Sequence, residues 1–242
     1  MQLITDRYKI SSCKVYYYLS FKPHTKSSID LYSQTEIDRQ INMWDQRYNE
    51  PGFAYGTDEN DFLRTQYSRI PKSGRVLCLA EGEGRNSVFL AKQGYQVTAV
   101  DQSAVGLEKA QQLAVKNGVT IKTEVANLND YDLGQDSWHG VVSISAHLPP
   151  GIRKSLHANL SSALKNNGVL ILEAYTEDNL QTSGIGGPPP SQKELFMSLA
   201  ELKTELKDLK LEIAQELKRN ISEGKYHQGE SAVVQVVGYK LG

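Results

Sequence analysis

Apolar positions along this chain fall into short runs separated by polar turns, and the runs change period from one stretch to the next. Val76 to Ala80 is continuously apolar after Arg75, the pattern of a strand buried on both faces. Asn86 to Gln93 predicts a helix stopped at Gly94, and Gln96 to Val100 a second strand. Ser103 is placed to cap a helix running to about Asn117, with Gly118 beyond its end. Thr120 to Val125, Gly140 to Ser145 and Gly168 to Ala174 predict three more strands, with a helix over Pro150 to Lys165 before the last of them. Residues 184–190, Gly-Ile-Gly-Gly-Pro-Pro-Pro, exclude helix and central strand and predict a loop. Ser191 to Asp208 predicts a core-facing helix, because Leu195, Leu199, Leu202, Leu206 and Leu209 form one stripe. Leu211, Ile213 and Leu217 then alternate with polar residues, a polar turn follows, and Ala232 to Val237 is apolar again. Two strands joined without a helix make an antiparallel hairpin.

Strands alternating with helices predict an α/β fold. The sheet is expected to be doubly wound, mostly parallel and seven-stranded, with a C-terminal antiparallel hairpin. Residues 1–42 break the pattern, with a short strand predicted at Val15 to Leu19 and a polar helix at Ser27 to Asn42. Met43 reads as a fresh beginning. The expected division is therefore an N-terminal extension, 1–42, and a domain over 43–242.

Charge and cysteine usage narrow the function classes. Formal net charge is −1, so nothing in the electrostatics points to a nucleic acid or an anionic membrane as partner. Cys13 and Cys78 follow no metal-ligand spacing, no metal is expected, and Cys78 reads as a buried inert thiol. No run approaches the ~20 apolar residues that cross a bilayer, and Val15 to Phe21 is too short and tyrosine-rich for a signal-peptide core. The expectation is a cytoplasmic protein.

Candidate chemistry begins after the first strand, at Ala80-Glu81-Gly82-Glu83-Gly84-Arg85-Asn86. Glycines between strand and helix let the backbone approach a ligand beside free N–H groups. A tight turn with no ligand is the alternative. Asp101 ends the second strand about twenty residues on, where a carboxylate can accept hydrogen bonds from ribose hydroxyls or serve as a helix cap. Asn127 follows the third strand, placed to bond an adenine amino group or to act as a turn residue. The three together fit an adenosine-bearing cofactor. Ser87 at the last position departs from the G-x-G-x-x-G dinucleotide fingerprint.

Val76 through Asn86 resembles the first motif of class I S-adenosylmethionine (SAM)-dependent methyltransferases, Val100-Asp101-Gln102-Ser103 the second, and Ala126-Asn127-Leu128 the third. Leu164 to Leu170 is similar to the turn into their fifth strand. Trp44-Asp45-Gln46-Arg47-Tyr48 with Phe53-Ala54-Tyr55-Gly56 looks like the opening of the tellurite-resistance (TehB-like) and thiopurine-methyltransferase-like branch. The resemblance runs from about Met43 to Lys240. It implies a Rossmann-like sheet, SAM as cofactor, and cofactor contacts from Ala80, Glu81, Gly82, Gly84, Arg85, Asn86, Asp101, Gln102, Asn127, Leu128 and Ser145. The chain departs from the pattern at Cys78, where an acidic residue is usual, and at Ala80, where glycine is usual. Glu81 or Glu83 is the candidate for the missing negative charge.

The implied reaction is methyl transfer to a small-molecule nucleophile such as a thiol or a chalcogen oxyanion. The alternatives are SAM binding without turnover and NAD-dependent oxidoreduction. Trp44, Tyr48, Phe53 and Tyr55 are placed by the resemblance to form an aromatic lid, or else pack as core. His147, after the fourth strand, is the candidate base. Arg153 is the candidate for orienting an anionic substrate, and Tyr55 the candidate aromatic contact at the reacting centre. Tyr175, Tyr226 and His227 are expected at the pocket rim, and His139 and His157 in structural or exposed positions. Because the motif set begins after residue 42, a chain restricted to 43–242 is expected to give a cooperative thermal melt; a broad, non-cooperative transition would make the extension part of the fold.

Overall fold

The computed structural model describes residues 43–241. The extension, with the strand and helix expected at Val15 to Leu19 and Ser27 to Asn42, lies outside the described residues. Among the described residues seven strands form one sheet: β1 Arg75–Leu79, β2 Gln96–Asp101, β3 Lys122–Val125, β4 Trp138–Ile144, β5 Leu164–Tyr175, β6 Lys210–Glu223 and β7 His227–Tyr239. Their order is β3-β2-β1-β4-β5-β7-β6. The first five pair in parallel, whereas β7 runs antiparallel to both β5 and β6.

Side chains alternate across each strand and so divide the core into two layers. Leu77, Leu79, Val141, Leu170 and Leu172 pack on one face with Leu156 and Leu160 of α4 (Pro150–Ala163) and Leu202 of α5 (Leu199–Glu205). Val76, Cys78, Val142 and Ile171 pack on the other with Leu90 of α2 (Arg85–Lys92) and Leu113 of α3 (Ala104–Lys116). Phe62 and Leu63 of α1 (Asp61–Gln66) complete that second layer. Ser103 caps α3 by accepting from the Gly106 N–H. The chain leaves β1 for β2 on one side and returns to β4 on the other. A crevice therefore opens at the carboxyl ends of β1 and β4, where open α/β sheets bind ligands. No helix among the described residues is long and apolar enough to cross a membrane.

The helix expected over Ser191 to Asp208 is broken. A 3-10 turn covers Pro190–Leu195 with Gln192 outside helical angles, Phe196 is extended, and a new start is made at Ser198. Ser198 accepts from the Glu201 N–H while Glu201 reaches back to the Ser198 N–H, a capping box that forces a helix to begin there. The leucine stripe survives the break: Leu199, Leu202, Leu206 and Leu209 all enter the first layer. Residues 184–190 are a loop, as expected, laid on the hairpin through an antiparallel bridge between Ile185 and Gln228.

Short α5 is fastened to α4 by a buried ion cluster. Arg153 is inaccessible to solvent and donates to both carboxylate oxygens of Glu205, to Glu201 and to the Phe196 carbonyl. His157 Nδ1 meets the second Glu205 oxygen at 2.7 Å. Burial works against the Glu205 charge, but the hydrogen bonds from His157 and Arg153 prevail and hold its carboxyl below the usual range. Removing one partner of such a pair leaves the other charge buried and uncompensated. Glu205→Ala is therefore expected to lower the unfolding free energy by about 3–5 kcal/mol, and Glu201→Ala, whose carboxylate is half exposed, by about 1 kcal/mol or less; urea titration of the two variants measures the difference.

Candidate active site

The glycine loop between β1 and α2 sits at the crevice. Ala80, Gly82 and Gly84 alternate in left-handed conformations with φ of 48°, 62° and 90°. Ala80 thus adopts the geometry that glycine adopts without strain, at the position where it replaces one. The loop is tied to β2 by the Glu81 N–H donating to the Val100 carbonyl at 3.1 Å and the Gly82 N–H donating to Asp101 Oδ2 at 2.8 Å. The other Asp101 oxygen accepts from the Ser103 N–H at 2.8 Å. One buried carboxylate at the end of β2 therefore sets both the glycine loop and the start of α3. Gly82 leaves no room for a side chain, since a Cβ there would lie 2.5 Å from Tyr48 Oη.

Glu81 and Glu83 part company. Glu83 is buried and committed to the loop before α1, accepting from the Ala54 N–H at 2.7 Å and pairing with Lys109 at 2.9 Å. Glu81 accepts from the Ser87 N–H in the first turn of α2 at 2.6 Å. It also lies near Cys78: burial pushes that thiol well up, and the Glu81 charge adds to the shift. Glu81 therefore brings a carboxylate close to the position where the methyltransferase motif carries its acid. Burial pushes Glu81 up to about 7 and Asp101 up to about 6, against the hydrogen bonds that both accept.

The remaining predicted contacts divide. Ser145 directly follows β4 with φ 55° and its N–H on the Glu173 carbonyl, so it brackets the crevice opposite the glycine loop. Gln102 follows Asp101 at the crevice edge, half-buried. Asn127 turns its side chain back on its own loop, accepting from the Asn129 N–H, and Leu128 is core. Arg85 and Asn86 face away from the loop. Arg85 forms a buried pair with Glu223 at 2.7 Å, and Asn86 Oδ1 accepts from the Asn60 N–H at 3.0 Å.

Two predicted catalytic side chains are engaged elsewhere. His147 is held on both ring nitrogens by main chain, with Nδ1 against the Leu195 carbonyl at 3.0 Å and Nε2 accepting from the Tyr175 N–H at 3.3 Å. Burial lowers it to about 4, so in this arrangement it is a clamp rather than a proton acceptor. Arg153 spends its donors on Glu205, Glu201 and Phe196 and does not reach the crevice. Tyr55, the third, is central to an aromatic cluster. Trp44 stacks on Tyr48 at 5.6 Å, Tyr48 meets Tyr55 edge-on at 6.5 Å, and Tyr55 lies 4.5 Å from the His227 ring. Arg47 donates to Tyr55 Oη and covers the Tyr226 ring at 4.1 Å. Phe53 belongs to the α2–α3 core layer.

Sequence reasoning missed a buried charge network. Glu173 of β5 accepts from Asn60 Nδ2, Arg219 Nη2 and Gln235 Nε2 at 2.7, 2.6 and 2.6 Å. Asn60 Nδ2 also donates to Glu223 at 2.9 Å, and Arg219 pairs with both carboxylates. The available signal was one glutamate inside the apolar run Leu170-Ile171-Leu172-Glu173-Ala174-Tyr175, because a charge within a buried strand needs partners.

Residues 76–168 match a protein family described as a methyltransferase domain. An uncharacterized methyltransferase, YbaJ, of Bacillus subtilis is 30% identical over 105 residues, 41% of this chain and 40% of that protein. The chain thus spans about two fifths of the curated relative it matches. TehB from Haemophilus influenzae superposes with a TM-score of 0.60 at 19% identity, covering 83% of this chain and 67% of that one. A Burkholderia thailandensis 1,6-didemethyltoxoflavin-N1-methyltransferase, solved with 1,6-didemethyltoxoflavin and S-adenosylhomocysteine, superposes with a TM-score of 0.52 at 16% identity, covering 87% and 85%. These likenesses establish the fold, a seven-stranded, mostly parallel sheet shared with those structures.

Glu81 and Asp101 hold their protons more tightly folded than unfolded. Their contribution to stability is full below about pH 4 and is lost as pH rises through about 6 and about 7. Thermal midpoints of the ligand-free protein are expected to decline across that window, and Glu81→Gln, which keeps an acceptor for the Ser87 N–H, is expected to flatten the upper part of the decline. Parallel profiles for wild type and variant would refute the assignment.

Proposed function

We propose that this chain, which carries the methyltransferase domain over residues 76–168, transfers the methyl group of SAM to a small-molecule nucleophile, in the manner of the TehB-like branch its opening residues resemble. The observation that carries the proposal is Asp101. Its carboxylate sits at the carboxyl end of β2, fixed by the Gly82 and Ser103 amides beside the crevice, where it can accept from a ribose diol. The glycine loop fits the same ligand, because its left-handed turn places backbone with no side chain between β1 and the start of α2. In this reading the Asn127 amide or the Leu128 N–H takes the adenine edge. Glu81 stands in for the acid that Cys78 lacks and receives the amino-acid ammonium.

SAM supplies a methyl group on a sulfonium that departs as a neutral thioether, so no acid is needed to expel it. The chain's part is to hold and shield. Trp44, Tyr48 and Tyr55 form a wall beside the glycine loop that excludes water and faces the sulfonium with aromatic surface, worth about 0.5–2 kcal/mol. Fixing nucleophile and methyl in line contributes up to about 7–11 kcal/mol.

Calorimetry and thermal melts test the proposal. SAM or S-adenosylhomocysteine at a hundred times its dissociation constant is expected to stabilise the protein by about 2.7 kcal/mol, and NAD is expected to give no shift. Asp101→Ala removes hydrogen bonds to a charged acceptor worth about 1.5–3 kcal/mol, so affinity is expected to fall by about ten- to a hundredfold. Stabilisation by NAD alone, or unchanged SAM affinity in Asp101→Ala, would overturn the assignment.

A further inference from the structure

We propose that His227, backed by Glu223, takes the proton from a methyl acceptor that arrives uncharged and protonated, and that the Tyr175 hydroxyl is the polar group that holds that acceptor. The inference rests on the methyl-transfer reading above and adds to it a residue pair supplied by the hairpin.

Position comes first. Tyr175 ends β5 and pairs with Val233 of β7, so His227, the first residue of β7, lies six positions beyond that pairing and overhangs the carboxyl edge of the parallel sheet. Its ring lies 4.5 Å from Tyr55 and 5.1 Å from Tyr175. Tyr55 continues through Tyr48 to Gly82, so a single aromatic cluster connects the cofactor loop to this histidine. Glu223 makes the same connection by charge, because Arg85, which pairs with it, is the first residue of the helix that the glycine loop opens.

The two histidines of this region differ in what they leave free. His147 has both nitrogens on main chain. His227 places Nδ1 3.4 Å from Glu223 Oε2, and its Nε2 has no hydrogen-bond partner among the described residues. A carboxylate on Nδ1 fixes the tautomer with Nε2 bare, the form that accepts a proton, and such bonds are commonly long until a ligand is bound. Burial lowers the imidazole and Glu223 opposes the shift, with Arg85 and Glu173 as the other charges facing it. Despite burial, the His227 hydrogen bond and the Arg85 guanidinium hold Glu223 well below the carboxylate range.

The Tyr175 hydroxyl is a second, independent pointer. It is buried and has no hydrogen-bond partner among the described residues, and it lies beneath the Gly186 backbone of the 184–190 loop, where any Cβ would collide with it. Nearby guanidinia do not serve an anion: Arg85 and Arg219 are paired with Glu223 and Glu173. The third guanidinium of this region among the described residues, Arg47, donates to Tyr55 Oη and lies over the Tyr226 ring, whereas an uncharged X–H acceptor needs only a proton acceptor and a hydroxyl. In the step, the acceptor's X–H proton passes to Nε2 and its lone pair forms the bond to the methyl carbon. The electron pair of the broken S–C bond stays on sulfur, and His227 returns its proton to solvent.

The test uses the full chain, with SAM and a probe set of benzenethiol, phenols of graded acidity and tellurite. His227→Gln is expected to lower kcat for the phenols by about 10²–10⁴-fold, less for the more acidic ones, and to flatten the acidic limb of the pH–rate profile, with S-adenosylhomocysteine affinity within twofold of wild type. Tyr175→Phe is expected to raise KM more than it lowers kcat. Nitrogen-edited NMR of the wild-type histidines, which needs no substrate or variant, is expected to show His227 protonated on Nδ1 only. An Nε2–H tautomer, an unchanged kcat across the series in His227→Gln, or transfer to tellurite with none to any uncharged probe would overturn the dyad. Loss of S-adenosylhomocysteine binding by the wild type would instead overturn the methyl-transfer reading beneath it.

Discussion

Two buried carboxylates hold this structure together. Glu173 on β5 and Glu223 at the end of β6 share Asn60 and Arg219, and Glu223 also takes Arg85. With Gln235 of β7 also donating to Glu173, five elements thereby meet at one point: the loop before α1, the first turn of α2, and the strands β5, β6 and β7. Replacing such a cluster with well-packed apolar side chains is often no less stable, so its importance lies in register. An apolar patch would let the hairpin slide along β5, whereas Arg85 meets Glu223 in one arrangement only. That arrangement sets the distance between the glycine loop and the hairpin turn, on which any chemistry between them depends.

The crevice itself rests on a smaller device of the same kind. Asp101 receives one amide from the glycine loop and one from the start of α3, so the loop after β1 and the turn after β2 cannot move independently. Burial makes this carboxylate costly to ionise, and Glu81 nearby shares the handicap. A cationic, hydroxyl-bearing ligand would relieve both.

Much of the architecture was legible because buried parallel strands read as apolar runs. Val76 to Ala80 and Gly168 to Ala174 were found within a few residues, and the alternation after Leu211 announced the hairpin. The failures have particular causes. Leucine spacing across 191–208 records which positions face the core, but not that the Ser198–Glu201 cap restarts the helix. His147 and Arg153 were placed correctly along the chain, yet their partners, Leu195 and Glu205, lie about fifty residues away, and no local pattern reveals such pairings. Arg85 and Asn86 sit in the motif, but their side chains turn to the hairpin and to Asn60. His227 was placed at the rim; what spacing could not show was a free nitrogen opposed to an engaged carboxylate.

Strand order carries a consequence for how the chain acquires its fold during synthesis. β7, the last strand, is inserted between β5 and β6, so β5 keeps one open edge until residues near 239 have been made. That edge belongs to the run Val169 to Tyr175, all of it buried in the finished protein. Unpaired apolar edges are where nascent chains associate with one another. The polar, charge-rich β6 is translated first and is available as β7's partner, so the closing strand arrives as half of a hairpin already soluble on its outer side. β7 is then both the piece that covers the sheet edge and the piece that begins at His227, so the edge is closed and the hairpin turn is formed in one step.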